Sequence, residues 1–252
     1  MKDNKKLSEL AEFYEAILYK KEKDMNFHSR LAEIYEELNE LENAVCYYNK
    51  CISLSNDKAL VEYYCKVAKI YKKIGGHDCL YNALEYYNKA KEIAEEYFLT
   101  NISIEEINYI YFDVADIYLE LGGNDNIQKA IWIYEGLIQS DEKSKNDKLL
   151  LYCTNLAAAL LKLGDDESFN KAIILYDKSM DIVELMLLDK VEIALAKFYL
   201  FEIFSNIKNL SMFKGILKRI SNISEILYKK FPNRQNELLT EFFENELNKM
   251  SE

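Results

Sequence analysis

Eight alanines recur in register along this sequence, and that regularity restricts the fold more than any other feature. Four segments read RLAEIYEELNE (30–40), KVAKIYKKIGG (66–76), DVADIYLELGG (113–123) and NLAAALLKLGD (155–165). Each is followed by a second: NAVCYYNKC (43–51), NALEYYNKA (82–90), KAIWIYEGL (129–137) and KAIILYDKS (171–179). In the first set, Ala32, Ala68, Ala115 and Ala157 follow Leu31, Val67, Val114 and Leu156. Three residues on come Tyr35, Tyr71, Tyr118 and Leu160, and then Leu38, Ile74, Leu121 and Leu163. Offsets of three and four keep such side chains on one stripe of a helix. The alanines let two helix axes approach to about 8–10 Å. The second set repeats the device with Ala44, Ala83, Ala130 and Ala172, each with a tyrosine one turn later (Tyr48, Tyr87, Tyr134, Tyr176).

The punctuation agrees. Gly75, Gly122 and Gly164, and Asn39 in the first repeat, stand just past the first helix of each pair, where a left-handed cap favours glycine and then asparagine. The whole sequence holds one proline, seven glycines, three threonines and six valines, too few turn and β-branched residues for a sandwich or barrel. The fold expected is therefore all-α, of about twelve antiparallel helices.

These paired segments resemble the tetratricopeptide repeat, a helix–turn–helix module. The resemblance covers about residues 25–185 and implies a right-handed superhelical solenoid. The spacing between paired alanines is 12 in the first repeat and 15 in the others, and successive second-helix alanines are 39, 47 and 42 residues apart, against about 34 in the standard unit. Elongated units of this kind are similar to those of the SNAP adaptors and of peptide-sensing bacterial regulators. A single solenoid domain over 1–252 is expected: a capping helix within 1–24, four repeats over 25–188, a degenerate fifth pair over 189–230 and a closing helix within 231–252. The fifth pair reads as helices over 189–207 and 210–230, with Ala196 at the small position. In the capping helix, Leu7, Leu10, Phe13, Tyr14, Ile17 and Leu18 form the expected apolar face; in the closing helix, Leu238, Leu239, Phe242, Phe243 and Leu247 do so. Ser103 with Glu106 forms a capping box, Asp147 marks another helix start, and Phe231-Pro232 breaks the chain before a closing helix over about 233–249, proline being tolerated at such a helix start.

In such a stack the first helices line the concave face. Their outward positions carry Glu33, Glu36 and Glu37, then Lys66, Lys69, Lys72 and Lys73, then Tyr109, Phe112, Asp113, Asp116 and Glu120, and finally Leu151, Thr154, Asn155, Ala158, Leu161 and Lys162. The expected binding set is Lys66, Lys69 and Lys73 for an acidic partner segment, with Tyr109, Phe112 and Leu151 receiving an apolar side chain and Asp116 and Asn155 contributing polar contacts. Lysine runs and aromatic stripes also arise as plain solvated or packed faces. The resemblance implies that Asn155 matches a position used to bond ligand backbone. Chaperone-binding relatives hold a terminal carboxylate with lysine and asparagine, and Glu33 stands where one such asparagine would be.

Enzymatic chemistry finds little support. His77-Asp78-Cys79 sits in a turn, with its histidine and cysteine two residues apart and no further ligand, and Cys51 occupies a packing position. No phosphate loop is present, and neither a cofactor nor a metal is expected. The formal charge of −11 and only three arginines disfavour nucleic acid. Five cysteines without a CxxC pair fit a reducing compartment. With no long apolar run for a signal or membrane span, the expected location is cytoplasmic. The function expected is a non-catalytic scaffold or adaptor for a protein or peptide. The alternative is a peptide-responsive regulator, or a regulatory subunit of a larger complex. Sensors of that kind usually begin with a DNA-binding helix-turn-helix, for which residues 1–24 are too short.

Overall fold

The computed structural model describes residues 2–19, 24–55, 59–97, 103–141, 147–186, 193–207, 210 and 213–249. Among these it holds twelve α-helices and no strand. The chain divides into two compact units, Met1–Leu121 and Gly122–Glu252. The first contains α1 (Lys2–Leu18), α2 (Met25–Glu37), α3 (Leu41–Leu54), α4 (Ala59–Ile74), α5 (His77–Tyr97) and α6 (Ile104–Leu121). The second contains α7 (Asn124–Asp141), α8 (Asp147–Leu163), α9 (Asp166–Met186), α10 (Ile193–Ile207), α11 (Lys214–Lys230) and α12 (Arg234–Lys249). Within each unit, helices adjacent in sequence pack on one another.

The alanine register is the packing register. All eight repeat alanines, and Ala196 of α10, are completely buried. So are the four second-helix tyrosines, Tyr48, Tyr87, Tyr134 and Tyr176. A small residue at each crossing admits the neighbouring backbone, and a large ring one turn later fills the space beside it.

Helix ends follow the asparagine and glycine signals. Asn39 has φ 60°, and the Glu40 N–H donates to the Tyr35 carbonyl at 2.8 Å, the six-to-one bond of a Schellman motif. Gly75, Gly122 and Gly164 have φ of 78°, 69° and 77°. The second glycine of each Gly-Gly pair has its own role: Gly76 and Gly123, also at positive φ, accept the first backbone bonds of α5 and α7 from Leu80 and Ile127. The corners stay short. The longer alanine spacing of the later repeats lies mostly in helix, because α5, α7 and α9 begin six residues before their alanines whereas α3 begins three before Ala44.

These conformations give substitution to alanine opposite signs at different glycines. A Cβ at Gly122 or Gly136 would meet nothing within 4 Å, so backbone preference alone decides. Gly122→Ala forces a left-handed alanine and is expected to cost about 1–2 kcal/mol. Gly136→Ala, inside α7, is expected to stabilise by about 0.5–1 kcal/mol. Urea melts of the two variants measure this; a shift of the same sign in both would contradict the backbone argument.

The terminal helices are turned differently from expectation. In α1 the inward stripe is Leu7, Ala11, Tyr14 and Leu18, which pack with Leu31 and Ile34 of α2. Leu10 and Phe13, expected inside, are 37% and 60% exposed. Glu15 joins α1 to its neighbours by accepting from the Tyr35 hydroxyl at 2.7 Å and the Tyr47 hydroxyl at 3.0 Å. In α12, Leu239 and Phe243 are buried, whereas Leu238 and Phe242 stand out at 47% and 38%. Phe242 and Phe243 both contact the Phe201 and Phe204 rings of α10.

The chain breaks at Phe231-Pro232 as expected, and α12 begins at Arg234. Asn233 caps the helix, its side-chain oxygen accepting the Asn236 N–H at 2.9 Å. The capping box at Ser103 is formed as expected: Ser103 N–H donates to the Glu106 carboxylate at 2.8 Å, and Glu106 N–H to Ser103 Oγ at 3.2 Å. Residues 189–192, expected to open the fifth pair, lie outside the described residues.

Candidate functional site

In the first unit, ion pairs between charged side chains link α2 to α4 and α4 to α6. Lys66 of α4 reaches Glu33 of α2 at 3.5 Å and Glu62, one turn back on its own helix, at 2.9 Å. Its ammonium also lies over the Tyr48 ring, 5.3 Å from the centroid. Burial pulls its pKa down, but the hydrogen bonds and fields of Glu62 and Glu33 outweigh that and hold it above the ordinary lysine value. Lys72 of α4 pairs with Asp116 of α6. The acidic and basic stripes of neighbouring first helices thus meet each other, a complementarity that aligns the helices.

Carboxylates of the same face receive hydroxyls from the core. Tyr48 of α3 donates to Glu36 at 2.7 Å, and Tyr87 of α5 donates to Asp113 at 2.8 Å. Burial first, and these carboxylates second, push both phenols well above the usual tyrosine range. Tyr47 is pushed up to about 12 by burial and then by its bond to Glu15.

Lys69 and Lys73 of α4 are exposed, and among the described residues neither forms an ion pair. On α6, Tyr109 is 55% exposed and Phe112 half-buried. Lys72 and Asp116 join these two helices, so the two ammonium groups of α4 and the aromatic pair of α6 stand on directly linked helices. In the second unit, Leu151 and Asn155 of α8 are both half-buried. Thr154, expected to face outward, is completely buried; its hydroxyl donates to the Leu150 carbonyl at 2.8 Å. That bond to the carbonyl one turn back satisfies the hydroxyl inside the packing layer.

Three of the five thiols are held protonated by their surroundings. Burial pushes the thiols of Cys51 and Cys153 up to about 11 and that of Cys65 up to about 12. Lys66, Lys178 and Lys69 respectively oppose these shifts without reversing them. Cys51, expected as a core thiol, is completely buried. His77 opens α5, with its ring 6.0 Å from that of Tyr81. Among the described residues, no group of three or more His, Cys, Asp or Glu side chains is placed to hold a metal ion. No helix among them is long and apolar enough to cross a membrane.

One exposed residue has no counterpart in the expected binding set. Trp132 of α7 is 72% exposed beside a cleft of the second unit. Its position, two residues after the repeat alanine, is outward-facing in every second helix; the signal available in the sequence was a tryptophan where packing asks for nothing.

A family model of the tetratricopeptide repeat matches residues 26–58, which contain most of α2 and all of α3. No curated protein matches the sequence. Among solved structures, the MamA protein aligns with a TM-score of 0.56 at 15% identity, covering 75% of this chain and 89% of that one. The APC/C hetero-tetramer Cut9–Hcn1 gives 0.51 at 14% identity, covering 95% of this chain and 40% of that one. YrrB, a TPR protein with an unusual peptide-binding site, gives 0.43 at 13% identity over 90% of this chain and 97% of its own. The buried alanine register, the left-handed corners and the family match on α2–α3 together show an all-α helical-repeat fold of the tetratricopeptide-repeat type.

Proposed function

We propose that this protein is a non-catalytic scaffold that binds a protein or peptide, and that the α4–α6 face of the first unit takes an acidic segment carrying an apolar side chain. The observation that carries this reading is that Lys69 and Lys73 are exposed and in no ion pair among the described residues, with Tyr109 exposed and Phe112 half-buried on α6, the helix that Asp116 joins to Lys72 of α4. Exposed cations steer an acidic partner and aromatic side chains anchor it. Lys66 and Asp116 belong to the same face but are already engaged within the protein, so they position it more than they contact a ligand. Leu151 and Asn155 are the corresponding contact positions on α8 in the second unit.

The experiment is affinity capture with the immobilised protein, bound proteins being identified by mass spectrometry. The double variant Lys69→Glu/Lys73→Glu is expected to lose captured partner at least about tenfold, the result of replacing two attractions by two repulsions. Lys66 is left intact because reversing it would break the protein's own pairs. Undiminished capture would move the binding surface elsewhere. A short peptide that compacts the protein in small-angle scattering would favour a ligand-responsive regulator over a static scaffold.

A further inference from the structure

The second unit carries a cleft of about 320 Å³ between α7 and the α8–α9 corner. Its apolar lining includes Ile131 and Leu160, both nearly buried, and Trp132 stands at its wall. Packing does not explain this tryptophan. The matching positions of α3, α5 and α9 are Cys46, Glu85 and Ile174, all exposed and chemically unrelated. A large aromatic surface left in water beside a concavity is the commonest kind of binding anchor.

The charge around it has one sign in excess. Glu135, Asp165 and Glu167 line the cleft against the single ammonium of Lys171. Glu135 lies one turn from Trp132 on the same stripe of α7. Asp165 is fixed as a carboxylate by Ser168, which donates its N–H and hydroxyl at 2.8 Å each. Lys171 bonds Glu167 at 2.7 Å and also feels Glu135 and Asp165, so the cleft already attracts one cation from within the chain. An indole face with carboxylates beside it and aliphatic floor residues beneath suits a guanidinium followed by an apolar side chain. The chain's charge of −11 favours approach of such a ligand.

We propose that this cleft is a docking site for a basic, arginine-bearing segment of another protein, with arginine stacked on Trp132 and paired to Glu135 and a neighbouring apolar side chain resting on Ile131 and Leu160. The site shares no residue with the α4–α6 face of the first unit and stands or falls independently of it.

Trp132 is the one tryptophan of the chain, so fluorescence excited at the red edge of the indole band, where the 20 tyrosines do not absorb, reports this cleft alone. The probe is the acetylated, amidated hexapeptide Gly-Leu-Arg-Leu-Arg-Gly at 150 mM salt, with the peptide carrying glutamate for arginine as control. The basic peptide is expected to change the emission saturably and the acidic one to leave it unchanged. By calorimetry, Glu135→Lys should weaken binding about tenfold or more and Trp132→Ala should remove the binding heat. Lys171→Gln, which releases Glu167 from its resident cation, should tighten binding about threefold. Both α7 positions are exposed, and circular dichroism verifies that the variants fold. Three results would overturn the proposal: no saturable change at millimolar peptide, an equal response to the acidic peptide, or full affinity in Glu135→Lys. An emission shift that depends on protein concentration without peptide would assign the cleft to a second copy of the chain and overturn it too.

Discussion

Ala68→Leu is expected to destabilise the protein by about 3 kcal/mol, the upper part of the range for overpacking a well-filled contact. Ala68 is completely buried in α4, which packs against α3 on one side and α5 on the other. A leucine there needs the volume of three further carbons at the point where the helices come closest. The neighbours cannot supply it by rotating side chains alone, because Val67 and Ile70 are themselves buried. Separating the helices would in turn loosen the contacts that bury Tyr63 and Tyr48 in the same cluster. Lys69→Leu provides the control, since the next residue along is exposed and its replacement should change stability by no more than about 0.5 kcal/mol. Urea denaturation followed by far-ultraviolet circular dichroism measures both. A wild-type midpoint for Ala68→Leu would mean that the alanine crossings are loose, and the account of the repeat given above would fail with it.

Removing the ring of Tyr87 should cost still more. Tyr87→Ala leaves a cavity at a fully buried site and is expected to lose about 4 kcal/mol, whereas Tyr87→Phe keeps the ring and gives up only its bond to the Asp113 carboxylate, about 2 kcal/mol. The difference separates the two functions of this tyrosine: the ring fills the space beside the Ala83 crossing, and the hydroxyl ties α5 to a carboxylate on the outward face of α6. If Tyr87→Phe lost as much as Tyr87→Ala, the polar tie and not the packed ring would be the main contribution. Thermal melts of the two variants, with Asp113→Asn as a third, decide between these.

The parts of the fold that could be read in advance are those where one residue type answers one local demand. A helix crossing demands a small side chain, so eight alanines marked eight crossings. A left-handed corner demands glycine or asparagine, so Asn39, Gly75, Gly122 and Gly164 marked four helix ends. The misplaced residues share a different cause. Leu10, Phe13, Leu238 and Phe242 lie beside the buried stripe of their helices, about 100° from a core position. Periodicity alone does not say which of two adjacent stripes a neighbouring helix will cover. Thr154 was misjudged because its hydroxyl is satisfied by its own helix, which makes it as easy to bury as a small apolar residue.

The candidate sites were less legible than the fold, for a related reason. A list of lysines on outward positions does not distinguish Lys66, locked between Glu33 and Glu62, from Lys69, which forms no ion pair among the described residues. That difference depends on the reach of side chains between helices distant in sequence. The carboxylates Glu36 and Asp113 had the same ambiguity until their tyrosine partners were located.

What the amino-acid order determined by itself was the class of fold, its pairing of helices and the places where they touch, because helix propensity, side-chain size and backbone handedness act over a few residues. What only the tertiary structure decided was the rotation of the terminal helices, the pairing of charges across α2, α4 and α6, and the cleft beneath Trp132. Each of these depends on the angle at which one helix meets another, and that angle is set by the summed packing of many contacts and not by any single residue.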